Sequence, residues 1–346
     1  MSLAIDGAAR TIHAPAMFGE SAFALGLHPL IVLLLALALD AYIGDPPGVY
    51  RLVPHPVALM GRIAGGLERR LNRPARSGAT RRMRGAFMVL ALVGLAAFAG
   101  WAIARLGRAV PFGWLVELLV AMTLVAQHDL YRRVRAVAVA LEDGGLEAGR
   151  EALRHIGDRN PATLDAFGVA RGAIESCAGK LSGDIVAPVF WYVLLGLPGM
   201  LAYKMVDTLD RMIGHRSPRY REFGATAARL DDAIAYIPAR ITALIIAAAA
   251  AFVPSASPPR AFRAMLRDAG RHRSLNAGWP EAAMAGALDL ALAGPRRYGD
   301  AVVKDAWMGS GRARAEPYDI RRALYVFLVA CLIDAGLVAL LALAQA

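Results

Sequence analysis

Residues 86–104 read AFMVLALVGLAAFAGWAIA, a run of apolar and small side chains that contains no charge. A helix needs roughly 20 apolar residues to cross a hydrocarbon core of about 30 Å, so this run predicts a membrane span. Residues 62–84, just before it, carry eight arginines and a single acid, Glu68. Arginine-rich loops remain on the cytoplasmic side of a membrane, which places this loop inside the cell.

Five more apolar stretches determine the predicted topology. Residues 22–43, 110–127 and 323–344 are long enough to cross a bilayer, so we predict roughly four firm spans in all. Residues 185–203 and 237–253 are shorter and contain three prolines, and the loop between them carries six Lys and Arg. Irregular backbone is tolerated at membrane depth only inside protein or beside water, so we predict that this pair is re-entrant or partly buried.

The rest of the chain has the composition of helices, and no stretch alternates in the way of a β-strand. We therefore predict an all-α, polytopic membrane protein that forms one integral membrane domain over residues 1–346. Residues 129–322 are expected to face the cytoplasm for the most part and to carry most of the functional site. The helices predicted between the spans are residues 141–156, 161–180, 261–270 and 280–293.

Charge and composition narrow the classes of function. The 346 residues include 39 Lys and Arg against 28 Asp and Glu, a net charge of +11, and 57% are hydrophobic. No zinc-finger, helix-turn-helix or basic–aromatic pattern supports nucleic-acid binding, so membrane lipid and phosphorylated substrates explain the charge better. Cys177 and Cys331 lie far apart and no two histidines have ligand spacing, so neither a zinc site nor a disulfide is expected.

The first two of four polar clusters combine charge with residues that shape the backbone. Residues 44–47 read Gly-Asp-Pro-Pro, and His55 follows between two prolines, where it either forms a rigid turn or binds substrate. Arg171 and Glu175 are four apart, so one helical face carries both. They either form a structural ion pair or contact a ligand together with Ser176, and Glu175 suits a cation or an amine.

The third cluster, within residues 204–240, is the densest in charge. Asp207 and Asp210 are three apart on one helical face, where paired carboxylates suit Mg²⁺ together with substrate phosphates. Adjacent residues diverge on a helix, so only one of Asp231 and Asp232 is expected to join them. A solvated cytoplasmic face is the alternative. The cations that this cluster offers to a phosphate are Arg216 and Arg229.

The fourth cluster reads Ser-Leu-Asn-Ala-Gly-Trp-Pro-Glu over residues 274–281. Asn276 and the glycine after it shape a turn, and Glu281 opens a helix, where its charge suits the helix dipole. Trp279 is predicted to be exposed in this turn, where it can stack on a flat ligand. We expect the four clusters to meet at one cytoplasmic cavity.

Six motif blocks follow one another along about residues 40–298, which is most of the chain. They are Gly-Asp-Pro with His-Pro-Val, Ala-Ile-Glu-Ser, Thr-Leu-Asp-x-Met-Ile-Gly-His-Arg, Ala-Ala-Arg-Leu-Asp-Asp, Ile-Pro-Ala-Arg-Ile-Thr-Ala and Asn-Ala-Gly-Trp-Pro-Glu-Ala-Ala-Met-Ala-Gly-Ala. No single block is decisive, but the ordered set resembles the CobD/CbiB family of cobalamin biosynthesis, the adenosylcobinamide-phosphate synthases.

The resemblance implies an ATP-dependent ligase that joins adenosylcobyric acid, a corrinoid, to aminopropanol phosphate and gives adenosylcobinamide phosphate. ATP and Mg²⁺ are the implied cofactors. The implied setting is the bacterial inner membrane, with several spans in lipid and the active face cytoplasmic; a homo-oligomer or association with other cobalamin-pathway enzymes stays open. The sequence contains no G-x-x-x-x-G-K-[ST], so an ordinary P-loop does not hold the ATP.

The motifs and the resemblance together give expected roles to the polar residues. Glu175, Asp210 and Asp232 are expected to be catalytic, and Asp207 is expected to hold Mg²⁺ together with Asp210. The residues expected to bind substrate are His55, Arg171, Ser176, Arg216, Arg229, Asn276, Trp279 and Glu281.

Residues 178–184, Ala-Gly-Lys-Leu-Ser-Gly-Asp, depart from the family's usual Ala-Glu-Asn-Leu-Ser-Asp-Gly. An acid and an amide become Gly179 and Lys180, and the order of Asp and Gly is reversed. The alternative function is therefore a non-catalytic membrane scaffold that binds corrinoids, or a diverged paralogue. A secondary transporter is a third hypothesis, which loses support because the two halves show no matching interrupted segments.

Overall fold

The computed structural model describes residues 27–44, 54–156, 161–298, 301–303 and 305–345. The predicted Gly-Asp-Pro-Pro turn beyond Gly44 and the beginning of the first predicted span lie outside these ranges, and for residues 296–303 only the backbone is described. Helices make up most of the described chain. Their bounds are α1 (Pro29–Ile43), α2 (Pro56–Leu71), α3 (Gly78–Ala109), α4 (Trp114–Leu124), α5 (Gln127–Asp143), α6 (Gly145–Arg154), α7 (Ala166–Lys180), α8 (Ala187–Ile213), α9 (Ala225–Ile234), α10 (Tyr236–Ala249), α11 (Pro258–Asp268), α12 (Gly278–Leu288) and α13 (Pro317–Ala344).

Within the described ranges, three helical runs are long and apolar enough to cross a membrane. They are α3 with 32 residues, the continuous run Ala166–Ile213 with 48, and α13 with 28. α9 and the segment Tyr236–Phe252 pass the same test as a pair, although a bend of 43° separates them. The prediction of an all-α, polytopic membrane protein is confirmed.

The run Ala166–Ile213 folds back on itself. A straight helix would separate Asp184 from Lys204 by about 30 Å at 1.5 Å per residue, but their side chains lie 3.1 Å apart. The reversal occurs at Gly196, whose φ of 67° is open to glycine at little cost. Residues 185–203 therefore form a hairpin whose two ends return to one level, which agrees with the re-entrant arrangement predicted for them.

Two of the predicted firm spans are shorter as helices than the sequence indicated. α1 has 15 residues in the described part. Residues 110–127 contain only the 11-residue α4, because Phe112 takes a positive φ of 60° before it and Val125 is extended after it. Eleven residues rise about 16 Å, roughly half of a hydrocarbon core. α4 is therefore too short to cross the membrane alone, and the prediction of a firm span over residues 110–127 is wrong.

α3 shows how the apolar surface divides between protein and lipid. Met88 and Leu92 are buried against the rest of the chain, whereas Phe87, Leu90 and Phe98 are exposed. Exposed apolar side chains on a helix of membrane length belong in hydrocarbon, because water would penalise them. One face of α3 therefore packs on protein and the other faces lipid.

A short β segment after α12 was not predicted. The helix predicted for residues 280–293 ends at Leu288, because Asp289 takes the left-handed conformation with φ 59°. Strands of two or three residues are too short to show the alternation by which a sequence reveals a strand. The strands are β1 (Leu292–Ala293), β2 (Arg296–Tyr298), β3 (Ala301–Val303) and β4 (Trp307–Met308), and β1 pairs with β4 and β2 with β3, both antiparallel.

Candidate functional site

A cavity of about 480 Å³ opens at the base of the hairpin, where its two ends return to the same level. Small-ligand sites have volumes of about 300–1,000 Å³, so the cavity has the size of a small-molecule site. We call it the Asp184 cavity. The charged and histidine side chains that line it are His55, Asp129, Arg133, His155, Lys180, Asp184, Lys204 and Arg211.

Asp184 is the centre of a charge network in this cavity. Arg211 Nη2 lies 2.7 Å and Lys204 Nζ 3.1 Å from its Oδ1, and Lys180 Nζ lies 3.7 Å from its Oδ2. Asp184 and Lys204 are both buried. Because burial strips ions of their water, such charges persist only with close partners, and the network therefore fixes these side chains in place.

A π-helical turn, Leu181–Val186, brings Asp184 to this position. π turns are rare and often occur at functional sites, since the wider ring re-aims the side chains that follow. The Tyr203 hydroxyl donates a hydrogen bond of 3.0 Å to the Gly183 carbonyl inside the turn. This bond ties the turn to the part of α8 that carries Lys204.

Asp207 extends the network along α8. Its carboxylate accepts a hydrogen bond of 2.9 Å from Arg211 Nε and lies 3.6 Å from Lys204 Nζ. With Lys180 included, three cations face the two carboxylates of Asp184 and Asp207, and one positive charge remains. The cavity therefore favours an anionic ligand.

The opposite wall comes from the beginnings of α2 and α5 and from the end of α6. His55 precedes α2, and its Nδ1 accepts a hydrogen bond of 3.2 Å from the backbone N–H of Val57. Asp129 and Arg133 form an ion pair of 2.7 Å one turn apart on α5, and His155 is exposed beyond α6. Among the residues predicted to bind substrate, His55 alone lines the Asp184 cavity.

Four carboxylates gather where α8 faces α9. Asp207 and Asp210 on α8 interact electrostatically with Asp231 on α9, which is half-buried, and Asp210 also interacts with Asp232, which is exposed. In the described ranges, no three His, Cys, Asp or Glu side chains are arranged as a metal site. A Mg²⁺ ion here would need phosphate oxygens to complete its coordination.

The two predicted phosphate-binding arginines lie elsewhere. Arg216, in the loop after α8, and Arg229, on α9, are both exposed. Neither lines the Asp184 cavity, and neither forms an ion pair with a described residue.

Arg171, Glu175 and Ser176 lie on α7 away from the cavity lining, and the two charged residues have separate partners. The Arg171 guanidinium donates to the Ala313 carbonyl and lies 5.8 Å from the centre of the Trp307 ring. Glu175 is buried, and its Oε1 accepts a hydrogen bond of 2.6 Å from the Ala293 N–H. Ser176 is half-buried. The side chains of Arg171 and Glu175 thus hold the β segment against α7.

The fourth cluster forms a separate assembly around Arg240. Asn276 accepts a hydrogen bond of 2.8 Å from Arg240 Nη1 and donates one of 2.9 Å to the Asp232 carbonyl. The Arg240 guanidinium lies 4.7 Å from the centre of the Trp279 ring. Trp279 is half-buried and already stacked on a cation, which differs from the exposed ligand platform predicted for it. Glu281 is buried, with its Oε2 3.6 Å from His272 Nε2.

A family model described as CobD/Cbib protein matches residues 33–327 of the chain. The chain belongs to this family. A cobalamin biosynthesis protein CobD of Sinorhizobium sp is 46% identical over 317 residues, which are 91% of this chain and 98% of the relative. Proteins of the same name are 47% identical in Brucella suis biovar 1, over 89% of this chain and 95% of the relative, and 41% in Rhodobacter capsulatus, over 86% and 92%. No solved structure matches the chain.

Several residues that line the Asp184 cavity were not assigned a role from the sequence. Lys180 and Asp184 are four apart, a spacing that indicates an ion pair on a helix. Lys204 directly follows an apolar stretch, which indicates a charge in the protein interior. Arg133 and His155 also stand four residues after an acid, Asp129 and Glu151, but that spacing indicates only a local pair. They reach the cavity only because α5 and α6 pack beside α7, which no local pattern reveals.

Proposed function

We propose that this chain is an amide-forming ligase of cobalamin biosynthesis. It joins the amine of aminopropanol phosphate to a carboxylate of adenosylcobyric acid at the expense of ATP and releases adenosylcobinamide phosphate. Two observations support the proposal. The relatives named as cobalamin biosynthesis proteins match nearly the whole chain, and the Asp184 cavity has the charge that a phosphorylated amine requires.

The observation that carries the proposal is the ordered set of cations around Asp184. Lys204 is buried behind the carboxylate, while the side chains of Lys180 and Arg211 are 30% and 46% exposed at the cavity edge. These two cations bind the phosphate of the amine substrate in this proposal, because the guanidinium fork of arginine matches phosphate oxygens. Asp129, which lines the opposite wall and pairs with Arg133, receives the ammonium end in this proposal.

The reaction needs an activated carboxylate, since a free carboxylate is a poor electrophile. A carboxylate oxygen of the corrinoid attacks the γ-phosphorus of ATP, ADP leaves, and an acyl phosphate forms. The amine nitrogen then attacks the acyl carbon, inorganic phosphate leaves, and the nitrogen loses a proton. Cations fixed near the phosphate groups stabilise the charge that develops, and exclusion of water protects the acyl phosphate.

The carboxylates between α8 and α9 fit Mg²⁺ better at Asp210 than at Asp207. Asp207 is already paired with two cations, whereas Asp210, Asp231 and Asp232 form no ion pair with any described residue. When bound, Mg²⁺ supplies positive charge to the phosphates of ATP. Asp210 and Asp232 then take their expected catalytic roles by holding the ion, and Glu175 acts as a positioning residue through the Ala293 N–H.

The proposed site faces the cytoplasm of a bacterial cell, at the inner membrane. The loop after α8 contacts the arginine-rich loop, since Arg219 Nη2 lies 2.9 Å from Glu68 Oε2. Arg211, at the base of the hairpin, lies near the end of α8, directly before the loop that follows this helix. If the arginine-rich loop is cytoplasmic, as the charge rule predicts, the Asp184 cavity opens on the same side.

The direct test is an assay of the purified full-length protein in neutral detergent with adenosylcobyric acid, aminopropanol phosphate and Mg-ATP. The expected product is adenosylcobinamide phosphate, detected by mass spectrometry, with one ADP released per amide formed. Reactions without ATP, or with unphosphorylated aminopropanol, are the matched controls. Tight corrinoid binding without any amide product would overturn the ligase and support the scaffold.

A further inference from the structure

A second basic cleft lies outside the Asp184 cavity, between α11, α12 and the segment that follows β4. Its volume is about 190 Å³. Arg260, Arg263 and Arg267 line it from α11, and Ser310 and Gly311 line it from the segment after β4. We call it the arginine cleft.

The three arginines are placed unfavourably for a helix on its own. Residues three and four apart share a helical face, so α11 gathers three positive charges within two turns. Arg260 also stands in the first turn, where the helix dipole disfavours a cation. Such an arrangement is stabilised when an anion sits among the guanidinium groups.

Of the three arginines, Arg267 forms an ion pair within α11. Its Nε and Nη2 donate hydrogen bonds of 2.8 and 2.6 Å to Asp268, and these bonds lower the pKa of that carboxyl below its usual range. Asp268 is therefore ionised at neutral pH and neutralises Arg267. Asp268 also accepts a hydrogen bond of 2.9 Å from the Gly309 N–H, which ties the segment after β4 to α11.

Arg260 and Arg263 carry the charge that remains. Arg260 Nη1 is 3.5 Å from Asp289 Oδ2, a long contact with an exposed carboxylate, and its buried Nε has no hydrogen-bond partner among the described residues. Arg263 donates through Nε to the Pro259 carbonyl at 3.1 Å, so its terminal nitrogens have no partner in the described ranges. Two cations thus face one acid, and the cleft keeps a net positive charge.

The opposite side of the cleft depends on glycine. A Cβ on Gly311 would come within 2.0 Å of the Asp289 carbonyl oxygen, so only a residue without a side chain allows this approach. The close approach brings Ser310 into the lining of the cleft, across from the arginines of α11. The lining therefore combines arginines with a serine, and guanidinium and hydroxyl groups both bind tetrahedral oxyanions.

We propose that the arginine cleft binds a phosphate group. The phosphate belongs either to a soluble molecule or to the headgroup of an anionic lipid, and exposed Phe262 and Leu266 on the same helix suit the second source. Neither source depends on the ligase reaction proposed above. The two proposals use different residues and fail separately.

The test titrates full-length protein in neutral detergent, at constant ionic strength, with pyrophosphate and with short-chain phosphatidic acid. Calorimetry gives the affinity, and hydrogen exchange locates the site through protection of residues 258–268 and 309–312. The Arg260→Gln, Arg263→Gln double variant is expected to bind at least about tenfold more weakly and to lose this protection. Arg70→Gln, which removes an exposed arginine of α2, is the matched control and is expected to bind normally.

Tighter binding of pyrophosphate assigns the cleft to a soluble phosphate, and tighter binding of phosphatidic acid assigns it to lipid. Arg263→Gln alone guards against a folding defect, since Arg263 is exposed and its loss should leave the melting temperature unchanged. The proposal is overturned if neither probe protects these two segments, or if the folded variants bind both probes as tightly as the unaltered chain.

Discussion

Arg211 Nη2 lies 2.7 Å from Asp184 Oδ1, although 27 positions separate the two residues and the reversal at Gly196 lies between them. The contact joins the two ends of the hairpin at its base. Lys204 reaches the same oxygen from the returning arm. The carboxylate therefore closes the hairpin and, at the same time, orders the cations that line the cavity.

Replacement of Asp184 by Asn should damage both stability and activity. The variant removes the nearer carboxylate of the buried Lys204 and leaves it only the 3.6 Å contact with Asp207, and breaking a buried pair costs about 3–5 kcal/mol. We expect a clear fall in the melting temperature in detergent and loss of amide formation. Glu151→Gln, which breaks an exposed pair with Arg154, should cost less than about 1 kcal/mol. Equal melting temperatures for the two variants would contradict the central role of Asp184.

Variants of Arg211 and Arg229 distinguish the phosphate site proposed in the Asp184 cavity from the one predicted from the sequence at Arg216 and Arg229. Arg211→Gln removes a guanidinium from the cavity edge, so KM for aminopropanol phosphate should rise about tenfold or more. Arg229→Ala removes an exposed residue outside the lining and should leave that KM nearly unchanged. Steady-state kinetics at saturating ATP measures both. The opposite ranking would return the phosphate site to α9.

Asp210→Asn should raise the Mg²⁺ concentration that half-saturates turnover, because it removes a carboxylate from the group between α8 and α9. Asp207→Asn is the matched comparison, since Asp207 is already paired with Arg211 and Lys204. It should alter the KM of the phosphorylated amine more than the Mg²⁺ requirement. Turnover measured against Mg²⁺ concentration, after removal of metal with a chelator, separates the two effects. Identical Mg²⁺ curves for the two variants and the unaltered chain would remove Asp210 from the metal site.

The features predicted correctly are those that local composition controls. Apolar runs predicted the all-α membrane fold. Pro188 and Pro198, with the basic loop that follows, predicted irregular backbone within residues 185–203, and the chain reverses there at Gly196; that these residues do not cross as an ordinary span stays a prediction. The site was harder to predict, because Asp184 acquires its role from residues 20 and 27 positions away. Trp279 was expected to be exposed, because no pattern in the residues around it predicts that Arg240, 39 positions earlier, stacks on its ring.

The topology can be checked with single cysteines that replace Ser217 and Ser274. Ser217 lies in the loop that contacts the arginine-rich loop through Arg219 and Glu68, so both loops are on one side of the membrane. Membrane-impermeant thiol reagents should label both cysteines in inverted vesicles and neither in intact cells whose outer membrane is permeabilised. A cysteine inserted in place of Ser77, within the arginine-rich loop, is the reference for the cytoplasmic side. Labelling of Ser217→Cys only from the periplasm would exclude a cytoplasmic Asp184 cavity.

Variants at Gly179 and Lys180 test whether Lys180 has a structural role or a role in ligand binding. Its side chain is 30% exposed and its Nζ lies 3.7 Å from Asp184 Oδ2, a distance at which a surface pair contributes about 1 kcal/mol or less. A Cβ on Gly179 would meet no other atom within 4 Å, so the double variant Gly179→Glu, Lys180→Asn should fold with a nearly unchanged melting temperature.

The same double variant removes the Lys180 charge from the cavity edge and adds a negative charge at position 179, next to it in the chain. A phosphate bound about 4 Å away would lose attraction of order 4 kcal/mol at an effective dielectric near 20, before solvent screening reduces it. If Lys180 contacts the phosphate of the amine, KM should therefore rise at least about tenfold while the melting temperature stays constant, and the single variant Gly179→Glu should show a smaller rise. If turnover stays equal or improves, Lys180 does not bind the phosphate, and Arg211 carries that contact alone. A melting temperature that falls as far as that of Asp184→Asn would instead show that Lys180 holds the hairpin together.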